Sequence, residues 1–261
     1  MKRDCFLSLR FCRVWQRNWV VHRRSWIVGF LPPLLEPLLY LLAFGVGLSA
    51  LVGDIPYGGG TVTYLAFLAP ALLAINIMHN AFFENTYGSF VRMYYQKTFD
   101  AMMATPLTVE EIITGEIVWG ATKSLLATAV MLAVISAFGL VRYPEGLAIL
   151  PLAFLGGLAF GAIGMLFTAV VPHIELFNLP MFLFITPMFL FSGTFFPVEN
   201  LPAWARIVAD ALPLTHLVFL CRSAAYGALD RTCLPSLLYL AVFFLALFPL
   251  ALLGMRRRLI K

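Results

Sequence analysis

An all-α integral membrane protein with six spanning helices is the fold class that this chain predicts, and three observations predict it. Hydrophobic residues fill 61% of the 261 positions and charged residues only 12%, half of the roughly 25% usual in a soluble domain. Six apolar stretches follow one another at 26–51, 62–83, 112–140, 147–171, 177–196 and 234–255. Each has about 20 residues or more, enough to cross a ~30 Å hydrocarbon layer. Finally, thirteen Lys and Arg residues gather in the two chain ends and the 84–116 segment, whereas the alternate loops hold only Arg142, Arg206, Arg222 and Arg231. That asymmetry puts both termini and the 84–116 segment in the cytoplasm, and an even number of spans agrees with it. The formal charge of +5 therefore reflects topology rather than a nucleic-acid-binding face.

Residues 1–25 form the first unit, a cytoplasmic interfacial helix, and residues 26–261 a single six-span domain. In the first unit Arg3, Arg10, Arg13, Arg17 and Arg24 share one arc of a helical wheel, with Leu9, Phe11, Cys12, Trp15 and Trp19 opposite. Such a helix lies on an anionic inner leaflet. It is not a signal peptide, because the apolar run after it is too long and lacks a small-residue cleavage site. The first span is bent by Pro32, Pro33 and Pro37 and carries Glu36.

Between the second and third spans, Glu84 to Glu116 is too polar for lipid. Arg92, Tyr95, Gln96 and Phe99 fall at helical spacing, predicting a short surface helix. It ends at Thr105-Pro106, since the residue before proline is driven out of the α region. Thr108 then caps the third span, with Glu111 completing a capping box. Glu116 and Lys123 lie seven apart on that span, on nearly one face, with Lys123 about 18 Å beyond Glu111, near the bilayer midplane. A charge there needs a partner or water. It either lines the transport path or locks helices through a salt bridge with Glu36 or Glu116.

The fourth span places Gly157 and Gly161 four apart, a spacing for close helix packing. Between the fifth and sixth spans, 201–212 and 215–227 are two helices too short to cross, predicting an outer re-entrant hairpin, with Thr215 capping the second and Gly227 ending it. Phe195, Trp204 and Tyr226 near that outer mouth suit either stacking on sugar faces or anchoring at the membrane interface. The four cysteines have no metal-ligand spacing, and a Cys221–Cys233 bridge is left open. No metal site is expected from the scattered histidines, and no P-loop is present, so nucleotide chemistry belongs to another chain.

Three stretches, EPLLYLLAFGVGL (Glu36–Leu48), TFDAMMATPLTVEEIITGE (Thr98–Glu116) and FSGTFFPVENLPAWARIVADALPLTHLVFLCRSAAYG (Phe191–Gly227), resemble type-2 ABC transporter permeases. The first two most resemble the subgroup that exports nodulation-type lipo-oligosaccharides. The resemblance implies a bacterial inner-membrane homodimer with a separate ATPase subunit on each copy. ATP and Mg would be bound by that partner, with no cofactor on this chain. It also makes the helix around 87–100 a coupling helix, with Arg92, Lys97 and Asp100 as polar contacts and Tyr94, Tyr95 and Phe99 as apolar anchors. The implied cargo is an amphiphilic glycoconjugate. Drug- and lipid-exporting permeases share the scaffold, and an ATP-independent flippase is the rival of another class; it would need inverted repeats, which the sequence does not offer.

Overall fold

A computed structural model of the chain describes residues 8–24, 31, 35, 38–43, 47, 53–57 and 60–260. Glu36 lies outside the described residues, as does most of the expected first span. The described positions between 26 and 51 are helical.

Helix α1 (Phe11–Arg24) is followed by a two-stranded antiparallel hairpin, β1 (Asp54–Tyr57) and β2 (Gly60–Thr63), with Ile55 opposite Val62. This hairpin corrects the sequence reading, which started the second span at Val62. The span, α2 (Tyr64–Phe83), begins two residues later, capped by the Thr63 hydroxyl. Its rod does not stop at the membrane edge. It runs on through wider π-turns at Glu84–Gly88 and Val91–Tyr95, a continuous 32 residues. At 1.5 Å per residue that is about 48 Å, well beyond a ~30 Å hydrocarbon layer.

The rod breaks at Lys97, whose φ of 54° is left-handed, and a short helix α3 (Thr98–Met103) follows. The expected single surface helix is thus divided. Arg92, Tyr94 and Tyr95 belong to the extended span, and Phe99 and Asp100 to α3. Next comes α4 (Val109–Ala137), closed by the anticipated capping box: the Glu111 amide donates to Thr108 Oγ1 at 3.2 Å, and the Thr108 amide to Glu111 Oε2 at 2.9 Å.

Helix α5 (Ile149–Val170) is central, packed on α2, α4 and the last helix. Its glycines allow the approach. A Cβ on Gly157 would sit 2.7 Å from Ala121 Cα, and one on Gly164 would sit 2.9 Å from the Phe82 carbonyl oxygen. The fifth span, α6 (Ile174–Phe191), is a continuous composite of 3-10, α and π turns, passing into a π-turn after Pro180. Then come α7 (Ala203–Asp210) and α8 (Pro213–Tyr226), bent by 81°. Pro213 rather than Thr215 opens α8. The Thr215 hydroxyl instead donates back to the Ala209 carbonyl at 2.6 Å. Gly227, at φ 71°, ends the helix as expected. Cys221 and Cys233 are both free thiols.

The last helix, α9 (Leu234–Leu259), shows lipid-suited side chains such as Leu238, Val242 and Leu245 on its outside. Its basic end is tied down, since Arg258 donates to the Val171 carbonyl at 2.6 Å and also to that of Thr168. A cation there caps the carbonyls that α5 leaves open at its C-terminus. Among the described residues five helices are long and apolar enough to span, matching the expected second to sixth, or six if α7 and α8 count as one.

Candidate functional site

The largest concentration of buried charge sits where α1, α2 and α4 meet. On the extended α2 rod Glu84, Gly88 and Arg92 succeed one another every four residues, and on α4 Glu116, Trp119 and Lys123 repeat at three and four, so each set shares a face. The two faces meet. Arg92 Nη1 lies 2.6 Å from Glu84 Oε1, and Arg92 Nη2 lies 2.5 Å from Glu116 Oε2. Lys123 Nζ is 2.8 Å from Glu84 Oε2, and Trp119 Nε1 donates to Glu84 Oε1 at 3.0 Å. The Glu116 carboxylate also accepts from Ser89 Oγ at 2.9 Å and from Asn18 Nδ2 of α1 at 2.8 Å.

Two carboxylates and two cations cancel, and nearly every lone pair is used. This is the condition under which buried ions are tolerated, because desolvation otherwise outweighs their attraction. Gly88 keeps the space open, since a Cβ there would lie 3.1 Å from Glu84 Oε1. Beside the network opens a cleft of about 430 Å³, bounded by Arg17, His22, Tyr87 and Gln96 among others. Burial, with the Lys123 ammonium nearby, holds His22 below the ordinary imidazole value.

Lys123 therefore pairs with Glu84, while Glu116, the other described candidate, is taken by Arg92. Its depth changes accordingly. Glu84 follows the 20 residues of α2, about 30 Å of rise, which carries it across the hydrocarbon to its far edge. The ion pair draws the Lys123 ammonium to that level and away from the midplane.

Helix α1 is seated on α4 by a stripe at i, i+3, i+4 and i+7. Val14 and Asn18 are buried, a Cβ on Gly115 would meet Val14 Cβ at 2.6 Å, and Trp15 Nε1 donates to Thr122 Oγ1 at 2.9 Å. The sequence reading had assigned Leu9 and Cys12 to the apolar side, but both are exposed. Packing against α4, not the lipid alone, selects the face.

Of the six coupling candidates, Tyr94, Tyr95, Lys97 and Asp100 stand exposed around the Lys97 break. Arg92 and Phe99 do not. Arg92 is turned between its two carboxylates, and Phe99 is fully buried in an apolar cluster with Phe90 and Ile112. Their roles are to hold the tip, not to face outward from it.

At the opposite end, the outer-mouth trio is not gathered. Phe195 stacks edge-on with Phe189 at 5.1 Å, Trp204 is 64% exposed beside Phe191, and Tyr226 lines a cavity of about 1150 Å³ below the β-hairpin. Two residues there escaped the sequence reading. Tyr57 lies 5.7 Å from Tyr226 between ring centroids. Arg222 is buried, donating from Nε to the Phe67 carbonyl at 3.1 Å and from Nη2 to the Thr194 carbonyl at 3.0 Å, with its guanidinium 3.6 Å from the Phe67 ring centroid. A charge inside an otherwise apolar helix pattern was the available signal for Arg222. For Tyr57 it was the Gly58-Gly59-Gly60 run between alternating residues.

The description "ABC-2 type transporter" matches residues 10–226, which is most of the chain. This chain belongs to the ABC-2 type transporter family. The ABC-2 chain is 37% identical to nodulation protein J of Rhizobium leguminosarum bv. trifolii, across 97% of its own length and 95% of that protein. Against nodulation protein J of Rhizobium leguminosarum bv. viciae the identity is 35%, across 97% and 96%. A more distant relative is the inner membrane transport permease YadH of Escherichia coli, at 22% across 90% of each chain. The ABC-2 chain is thus a membrane permease subunit of a transporter.

Proposed function

We propose that this permease works as a homodimer in the bacterial cytoplasmic membrane with two copies of a separate ATPase subunit, both termini inside, exporting an amphiphilic glycoconjugate of the lipo-oligosaccharide class. ATP and Mg are bound by the ATPase chains. Near full-length similarity to nodulation proteins J carries the reading, together with its resemblance to lipo-oligosaccharide exporters.

Coupling runs through the tip at the Lys97 break. The ATPase docks on Tyr94, Tyr95, Lys97 and Asp100, two rings and two opposite charges exposed around the break that ends the extended helix. Displacement of the tip passes into the α2 rod, because Arg92 ties that rod to Glu116 of α4 and Asn18 ties Glu116 to α1. The three helices then respond as one body on the cytoplasmic side. Helix α1 lies along the inner leaflet with its basic residues toward anionic headgroups, and α7 with α8 forms a re-entrant hairpin in the outer leaflet.

Co-reconstitution with the ATPase tests this. Lys97→Glu together with Tyr95→Ala is expected to lower transport-coupled ATP hydrolysis at least tenfold while leaving the melting temperature of the purified permease unchanged, since both side chains are exposed. Full export activity by the permease alone would overturn the assignment, and so would an unaffected double variant.

A further inference from the structure

We infer that the outer end of each protomer carries its own oligosaccharide-binding site, walled by Tyr57, Phe219 and Tyr226 and ending at Arg222. The inference rests on the glycoconjugate reading above and names where the polar head is received.

Two cavities form the site. The larger, about 1150 Å³, lies between the β-hairpin, the 197–200 turn and α8, and a recess of about 320 Å³ leads from it toward Arg222. Both are bounded by Tyr57, Pro197, Glu199, Phe219 and Thr232, so they adjoin across a shared wall. Pockets for drug-sized ligands run about 300–1,000 Å³. This one is larger, suited to several sugar units.

The lining discriminates among ligands. A lipid tail wants an apolar wall and a phosphate wants a cluster of cations. Here Arg142, Arg206 and Arg222 are matched by Glu199, Asp210 and Asp230, so the site collects neither sign of charge. Sugars present a hydroxyl-rich edge, which needs donors and acceptors together, and a C–H face, which suits an aromatic ring. Asn200, Ser223 and the balanced charges supply the first, and the three rings supply the second.

Two of those rings are held before any ligand arrives. Tyr226 Oη donates to the Ala66 carbonyl at 3.0 Å. Tyr57 packs edge-on against Tyr226 and against Phe67, with centroids 5.7 and 5.6 Å apart. The Arg222 guanidinium lies 5.7 Å from the Tyr57 ring and is fixed by two carbonyls. Preorganisation of this kind removes ordering costs from binding. Trp204, by contrast, borders neither cavity.

The test uses the purified full chain in lipid nanodiscs, with cellotetraose, maltotetraose and tetra-N-acetylchitotetraose as probes and inorganic phosphate as the charged control. Saturation-transfer NMR and titration calorimetry are expected to detect at least one tetrasaccharide and no phosphate. Tyr57→Ala should weaken that binding at least tenfold. Asn200→Ala, on the exposed rim and harmless to folding, should weaken it about threefold, and Trp204→Ala should leave it unchanged. Absence of binding by all three probes, binding of phosphate instead, or affinity indifferent to both Tyr57→Ala and Asn200→Ala would overturn the site. The export reading fails separately, through loss of ATPase-coupled glycoconjugate export as its defining activity, and the binding titration stands whichever way that assay falls.

Discussion

At one end of the bundle Glu84, Arg92, Glu116 and Lys123 close on one another at 2.5–2.8 Å, and at the other Arg222 is held by two carbonyls and the Phe67 ring, with no carboxylate within ion-pair distance among the described residues. The first arrangement spends its charge internally. It ties three helices together and leaves little for a ligand. The second uses carbonyls and a ring face to hold a cation in place beside an open cavity. Burial by itself therefore does not distinguish the two; the partners do. A neutralised cluster transmits position, whereas a cation held by neutral acceptors leaves the acids around it to balance its charge across the cavity.

The largest effect that would break this contrast is at Glu116. Glu116→Ala strands Arg92 with one carboxylate and is expected to destabilise the solubilised protein by about 3–5 kcal/mol, read as thermal unfolding. Adding Arg92→Met should recover part of that loss, because removing both partners also removes the unpaired buried charge. A double variant no more stable than Glu116→Ala would mean that the network is not what holds α2 to α4. Next is Arg222→Met, which retains chain length but takes the guanidinium donor from the buried Thr194 carbonyl and a second donor from that of Phe67, at up to about 3 kcal/mol. If the same assay shows no loss, water already satisfies those carbonyls and the outer end is wetter than its geometry indicates. Gly157→Ala sharpens the comparison from between the two ends, where neither charge pattern operates. Its methyl would fall 2.7 Å from Ala121 Cα, and overpacking of α4 against α5 should cost about 2 kcal/mol. Smallest is Thr108→Ala, which opens the capping box at about 1 kcal/mol and is expected to leave ATPase coupling unaltered in the reconstituted assay.

What was legible in the sequence was local. The capping box, the stop before Pro106 and the Gly227 terminus all follow from contacts or conformations within a few residues, and the α5 glycines were marked by their four-residue spacing alone. The spans were legible because lipid demands long apolar runs. The site was only half so. Glu116 and Lys123 announced themselves as charges in an apolar helix, but their partners lie 24 and 39 positions away, and no periodicity reveals which of several acids a Lys will meet. Arg92 and Phe99 share the helical spacing of the exposed tip, so only the burial of their side chains separates holding residues from presenting ones. The left-handed turn at Lys97 carried no glycine to mark it.

The run from Tyr64 to Tyr95 has one more consequence. Because a single helix runs from beside the proposed vestibule to the proposed coupling tip, tilting of one end would swing the other, like the two arms of a seesaw pivoted near Glu84. Energy delivered inside would then be felt outside without any relay of small side-chain shifts, and the loosely wound π-turns beside the pivot are where such a beam has room to flex.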